Sequence, residues 1–175
     1  MNQPFTAMAS LEPPDSHHLK ASEGWLELGN ADEAGREIAR IQAQFLDHPD
    51  VLEMRWRVCA HGQRWEPALE LAEQLVVIAP DRSFGWIHRA YSLRRVKEGS
   101  IEKAWTALLP AVRRFPGELI IPYNLACYTA QMGRLDEAWA WLQKALESAG
   151  NIDRLKKLAL ADADLAPLHQ RIREL

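Results

Sequence analysis

Residues 123 to 150 read YNLACYTAQMGRLDEAWAWLQKALESAG, and weaker copies of this stretch occur upstream. Ala138 lies in the second half of the stretch, and Ala34, Ala68 and Ala104 occupy the same place in the copies. Successive alanines are separated by 34, 36 and 34 residues. A period of this length is typical of an array of helical hairpins, with one two-residue insertion between the second and third copies.

Each of these alanines begins an apolar stripe, with further apolar residues four and seven positions later. This spacing places the side chains on one face of a helix, so it predicts that each alanine lies in the core of the second helix of a hairpin. Pro110 interrupts the third of these helices and predicts a kink there. The stripes are Ala34, Ile38 and Ile41; Ala68, Ala72 and Leu75; Ala104, Leu108 and Ala111; and Ala138, Leu142 and Ala145.

The fourth copy resembles the tetratricopeptide repeat (TPR) family in both of its helices. Leu125 and Ala126 match the Leu-Gly pair of the family pattern, Gly133 matches the turn glycine, and Ala138 matches the alanine of the second helix. The resemblance covers roughly residues 15 to 150. It implies an all-α fold, a right-handed α-solenoid of about four TPR-like helical hairpins.

The two ends of the chain differ from the repeats. Residues 1 to 14 contain three prolines and lack helical periodicity, so we expect a flexible N-terminal segment. In residues 151 to 175, Ile152, Leu155 and Leu158 fall on one helical face, and Asp162 and Asp164 are capping candidates before a second short helix. We expect this pair of shorter helices to cap the fourth repeat.

The composition is that of an ordinary globular protein, with 47% apolar and 26% charged residues. A net charge of -3 leaves no basic excess for a phosphate backbone, so we expect no nucleic-acid partner. No stretch is apolar enough for a membrane span or a signal peptide. Cys59 and Cys127 lack metal-ligand spacing and are expected to be buried thiols in a reducing compartment. These absences predict a cytoplasmic protein without a membrane partner.

Residue patterns that carry chemistry are not found. The glycines show neither GxGxxG nor P-loop spacing, and the histidines lack a carboxylate or cysteine at metal-ligand intervals. We therefore expect no catalytic residues, no metal site and no cofactor. Of the seven tryptophans, Trp65, Trp105 and Trp139 are interpreted as packing residues, and Trp141 as a boundary or surface residue.

The family resemblance implies a concave groove lined by the first helix of each repeat. Counting these helices from Pro49, Gly85 and Leu119 gives a mixed aromatic and polar surface. Arg89 and Asn124 also fall near positions at which some members grip a partner's terminal carboxylate, but Leu93 replaces a clamp asparagine, so that mode is not expected. The predicted groove residues are Arg57, His61, Trp86, Arg89, Leu93, Tyr123, Asn124, Cys127 and Gln131.

Two functions remain open for such a surface. The first is a non-enzymatic protein–protein interaction module, an adaptor or chaperone-like scaffold that binds a peptide or helix segment of a partner in the groove. The second is a structural homo-oligomer that pairs through its tryptophan-rich surfaces. A third interpretation concerns Trp86, Arg89 and Tyr123 alone, which would then be the edge of the core between repeats.

Overall fold

The computed structural model describes residues 10 to 175, and within that range every regular element is a helix. The chain forms two compact units, one ending at Ala79 and the other running from Pro80 to Leu175. Across residues 10 to 175, no helix is both long and apolar enough to span a membrane.

The first unit consists of two helical hairpins. Helices α1 and α2 form one hairpin, α3 and α4 form the next, and α1 and α2 both pack against α3. A short 3-10 helix, Ala43–Phe45, lies between the hairpins. The helices are α1 (Asp15–Glu27), α2 (Ala31–Ile38), α3 (Pro49–His61) and α4 (Trp65–Ile78).

The second unit contains two further hairpins and a C-terminal segment. In the first hairpin, α5 pairs with α6, which is followed by the short helix α7; in the second hairpin, α8 pairs with α9. The helices are α5 (Ser83–Leu93), α6 (Ile101–Leu108), α7 (Ala111–Arg114), α8 (Ile120–Gln131), α9 (Leu135–Glu147), α10 (Ile152–Ala161), a 3-10 helix (Ala163–Leu168) and α11 (His169–Arg173).

The repeating alanines occupy the cores of their units, as the sequence predicts. Ala34, Ala68, Ala104 and Ala138 are all fully buried, and so is the rest of each apolar stripe to within a few per cent. A methyl side chain lets the two helices of a hairpin approach closely, because there is no bulk to hold them apart. The periodic positions are therefore the packing positions.

The two-residue insertion lies between α5 and α6. Helix α5 begins at Ser83, which is 34 residues after Pro49, whereas seven residues connect α5 to α6 and only three connect α3 to α4. The start of this helix at Gly85, assumed in the sequence count, is therefore wrong by two residues. The longer connection folds back tightly, since a Cβ on Gly99 would lie 1.8 Å from the backbone oxygen of Leu93.

The three-residue turns inside the other hairpins share one backbone conformation. Gly29, Gln63 and Gly133 occupy equivalent places and have φ values of 77°, 54° and 76°. This left-handed region suits glycine, because a Cβ makes it unfavourable. Gln63 adopts it without being glycine, so the turn geometry is imposed by the packing of α3 on α4.

Pro110 divides the second helix of its hairpin, as predicted. Helix α6 ends at Leu108 and α7 begins at Ala111, with Pro110 as the residue before α7. Arg89 donates a hydrogen bond from Nη2 to the Ala107 oxygen at 2.8 Å, next to this break. The guanidinium supplies a donor where the helical ladder is interrupted.

The terminal segments are only partly as expected. Residues 1 to 9 of the predicted flexible segment lie outside the described residues, and Leu11 is half-buried against the core of the first unit. At the other end, Leu155 is buried, but Ile152 and Leu158, predicted on the same face, are 54% and 50% exposed. The buried residues that follow α10 are Leu165, Leu168 and Ile172.

Candidate functional site

The predicted groove residues of the first unit lie at the end of α3. Arg57 donates from Nη1 to Glu23 Oε1 of α1 at 3.3 Å, and both side chains are about half exposed. His61, the last residue of α3, is exposed. A partner could reach both side chains in this unit.

The predicted groove residues on α5 are engaged in packing. The Trp86 indole donates from Nε1 to the Pro80 oxygen at 3.1 Å, and the Arg89 guanidinium lies 5.1 Å from the ring centroid. Trp86 and Leu93 both pack against the core of the second unit. For Trp86 and Arg89, the contacts favour the interpretation as the edge of the core, and Leu93 packs against the same core.

The predicted groove residues on α8 lie beneath the C-terminal segment. Tyr123 and Cys127 are buried, and both donate to Oδ2 of Asp162, at 3.0 Å from the hydroxyl and 3.6 Å from the thiol. Gln131 is exposed and donates from Nε2 to the Asp164 backbone oxygen at 3.1 Å. Asn124, on the same helix, is half-buried. Residues 162 to 164 thus lie along the α8 face.

Arg94, just after α5, completes this cluster and was missed by the sequence analysis. Its two Nη atoms donate to the two carboxylate oxygens of Asp164, the second at 2.8 Å. When α5 is counted from its observed start, Ser83, Arg94 takes the twelfth position, one that the resemblance directs toward the groove. The sequence analysis counted this helix from Gly85, which placed the twelfth position at Val96 instead of Arg94. We call Arg94, Tyr123, Cys127, Gln131 and residues 162 to 164 the Asp162–Asp164 cluster.

The two carboxylates of this cluster are stabilised by one cation and by neutral hydrogen-bond donors. Burial raises the pKa of the Tyr123 hydroxyl and of the Cys127 thiol, and the nearby carboxylates raise both pKa values further. The hydrogen bond to Asp164 raises the pKa of the Arg94 guanidinium. Tyr123 and Cys127 therefore stay protonated at neutral pH and act as donors to Asp162.

The same cluster contains a possible metal-ligand set. One ligand atom each from Cys127, Asp162 and Asp164 lie within 4.8 Å of one another. However, Arg94 occupies both oxygens of Asp164, while Asp162 accepts from Tyr123 and from the Asp164 backbone N–H at 3.0 Å. A raised thiol pKa also opposes the thiolate that a metal requires. The donors present serve hydrogen bonding better than metal binding.

Solved structures show what these hairpins are similar to. A thermophilic TPR protein of Thermus thermophilus matches with a TM-score of 0.68 and 20% identity, over 91% of this chain and 95% of that one. The fold is that of the tetratricopeptide repeat. No family model matches the sequence, and a search of curated proteins finds no significant match.

Two structures of MamA share this TPR fold. The chain from residue 41 to the end of MamA from Desulfovibrio magneticus RS-1 matches with a TM-score of 0.68 and 17% identity, over 95% of this chain and 97% of that one. MamA AMB-1 matches with a TM-score of 0.61 and 16% identity, over 92% and 91%. Identities this low bear on the fold of the repeats only.

Proposed function

We propose that this protein is a non-enzymatic protein–protein interaction module, an adaptor or scaffold that holds a peptide or helix segment of a partner protein. The proposed binding surface is the groove-side face of the first helices, with Arg57 and His61 on α3, Arg94 after α5, and Asn124 and Gln131 on α8.

The observation that carries this proposal is the Asp162–Asp164 cluster. Residues 162 to 164, at the start of the 3-10 helix, lie on the α8 face and accept hydrogen bonds from Arg94, Tyr123 and Gln131. Recognition of a peptide uses the same chemistry, with side-chain donors directed at carboxylates and backbone oxygens of an extended segment. The cluster supports the ability of this face to hold such a segment.

The intramolecular segment also limits where a partner can bind. Leu165, Leu168 and Ile172 follow it directly and are fully buried. Because burial of each such side chain contributes about 1.5 to 3 kcal/mol, roughly 5 to 9 kcal/mol opposes the displacement of the segment. A partner therefore uses side chains that remain accessible, namely Arg57 and His61 of the first unit and Asn124 and Gln131 of the second.

Self-association through tryptophan-rich surfaces has less support. Cations lie over the rings of three half-buried tryptophans: Arg134 at 5.4 Å from Trp105, Arg171 at 4.6 Å from Trp139, and Lys144 at 5.6 Å from Trp141. Such stacking keeps a charge next to each indole, which disfavours a dry apolar contact with a second copy.

Site-specific photo-crosslinking in cells tests the proposal. A photoreactive side chain is placed at Asn124, Gln131 or His61, and at Lys144 as an exposed control on α9. We expect a discrete crosslinked partner from the groove positions and none from the control. Crosslinks only between copies of this chain would favour the homo-oligomer instead. Equal crosslinking at Lys144 would show that the groove is not the binding surface.

A further inference from the structure

An open apolar pocket of about 760 Å³ lies in the second unit, between the start of α8 and helix α10. The sequence analysis predicted a buried face of the capping helix here, but of the two leucines of that face that line the pocket, Leu155 is buried and Leu158 is exposed. None of the predicted groove residues lines it. Its lining residues are Leu119, Ile120, Ala149, Gly150, Asn151, Arg154, Leu155, Lys157 and Leu158.

Large apolar side chains remain exposed at this pocket. Ile120 and Leu158, which line it, are 37% and 50% exposed, and Ile152 in the first turn of α10 is 54% exposed. A cluster of exposed apolar side chains costs solubility and marks a contact surface. Ile120 lies on α8 and Leu158 on α10, so an occupant that covers both side chains must span the two helices.

The charges at the pocket have a single sign. Arg154 and Lys157 line it together with seven residues that carry no side-chain charge. Within residues 10 to 175, neither of the two cations forms an ion pair with a carboxylate. The first turns of α8 and α10 also border the pocket; the first turn of α8 has no acidic residue and adds the positive end of its dipole, whereas Asp153 offsets that of α10. An occupant that combines apolar side chains with carboxylates complements this surface.

We propose that this pocket docks an acidic amphipathic helix from a partner protein. Apolar side chains spaced at i, i+4 and i+7 enter the pocket over Leu155 and Leu158. Carboxylates on the flanks of the helix face Arg154 and Lys157. The proposal goes beyond the groove, because it concerns a different surface and specifies the chemistry of the partner.

A synthetic peptide tests the proposal directly. The probe is a fluorescein-labelled helical peptide of about 14 residues, with leucines at the i, i+4 and i+7 positions and glutamates on both flanks. Its binding to the full chain is followed by fluorescence anisotropy, and we expect saturation in the micromolar range. Reversing both pocket cations, Arg154→Glu with Lys157→Glu, should weaken binding at least about tenfold. Leu158→Ser should weaken it several-fold without altering charge.

A matched variant controls for net charge. Lys156→Glu with Arg173→Glu changes the charge by the same amount in the same unit, and neither residue lines the pocket. This control should bind within about twofold of the wild type, after circular dichroism has established equal helix content. A peptide with the same leucines but lysines in place of the glutamates should bind at least about tenfold more weakly.

Several results would overturn the proposal. Equal affinity for the acidic and basic peptides would contradict the proposed acidic character of the partner helix. Equal losses in the pocket and control variants would place binding elsewhere, and an unchanged anisotropy with the wild type would mean that the pocket binds no such helix. None of these results bears on the groove, because crosslinking at Asn124 and Gln131 is measured independently.

Discussion

Replacing Arg94 by methionine should release the C-terminal segment from the α8 face. Methionine keeps much of the arginine volume but removes both donors to Asp164, so the carboxylate is left without its cation. The adjacent bonds to Asp162, from Tyr123 and Cys127, do not replace the lost charge. We expect residues 162 to 168 to open more often while the helical hairpins stay folded.

The magnitude follows from the burial of the ion pair. The side chains of Arg94 and Asp164 are 22% and 23% exposed, between a surface pair and a fully buried one. Breaking a fully buried pair costs about 3 to 5 kcal/mol, whereas an exposed pair contributes about 0 to 1 kcal/mol. We therefore expect Arg94→Met to lower the free energy of opening this segment by about 2 to 3 kcal/mol.

Amide hydrogen exchange measured by mass spectrometry reads this opening locally. In peptides that cover residues 162 to 172, a loss of about 2 kcal/mol corresponds to exchange roughly thirtyfold faster. Asp164→Asn and the double variant complete a double-mutant cycle, in which we expect a coupling of about 1.5 to 2 kcal/mol. Arg113→Met, at an exposed arginine on α7, is the matched control and should leave exchange unchanged.

The cycle has a clear contrary result. A coupling below about 0.5 kcal/mol would mean that Arg94 and Asp164 contribute independently, as exposed pairs do. The Arg94–Asp164 ion pair would then not hold the segment, and the Asp162–Asp164 cluster would no longer support the proposed binding mode.

Three further predictions concern the packing, the turns and the buried donors. Ala138→Leu should destabilise the second unit by about 1 to 3 kcal/mol, because it overpacks a fully buried contact, and an unchanged thermal midpoint would contradict this packing. Both Gln63 and Gly133 have positive φ, so Gln63→Gly should stabilise the first unit by about 0.5 kcal/mol and Gly133→Ala should destabilise the second by about 1 kcal/mol. Urea unfolding measures both changes in stability, and changes of the same sign would refute the argument. The pKa values of Cys127 and Tyr123 are raised in the folded state, so the unfolded chain ionises first as the pH rises. The free energy of unfolding should therefore keep its full value below about pH 9 and fall at higher pH. Cys127→Ala should make this fall less steep, and an unchanged slope would contradict the argument.

The repeats could be predicted from the sequence because their signal is local and periodic. Each anchor alanine and its stripe lie within eight residues on one helix face, so the pattern alone identifies the buried side. Pro110 is similarly local, since a missing backbone donor breaks a helix wherever it occurs. Contacts between distant segments carry no such period.

The placement of the insertion could not be read from the alanines. They fix only the second helices, so two extra residues between Ala68 and Ala104 fit equally well before α5 or after it. The structure places them after α5, where Gly99 permits the backbone to approach Leu93. The exposure of Leu158 could not be predicted either, because a periodic pattern shows which side chains share a helical face but not whether another element covers that face.

The position of the insertion decides which arginine reaches the groove side. With the extra residues placed before α5, Arg89 would be the fifth residue of the repeat and would face the predicted groove, yet it donates to Ala107 and lies against Trp86. With them placed after α5, Arg94 takes the twelfth position and meets Asp164, 70 residues further along the chain. A guanidinium with two donors is suited to hold both oxygens of a carboxylate. The position of two residues in one connection thus decides which arginine meets Asp164, and the proposed partner surface is the part of the α8 face that the C-terminal segment leaves accessible.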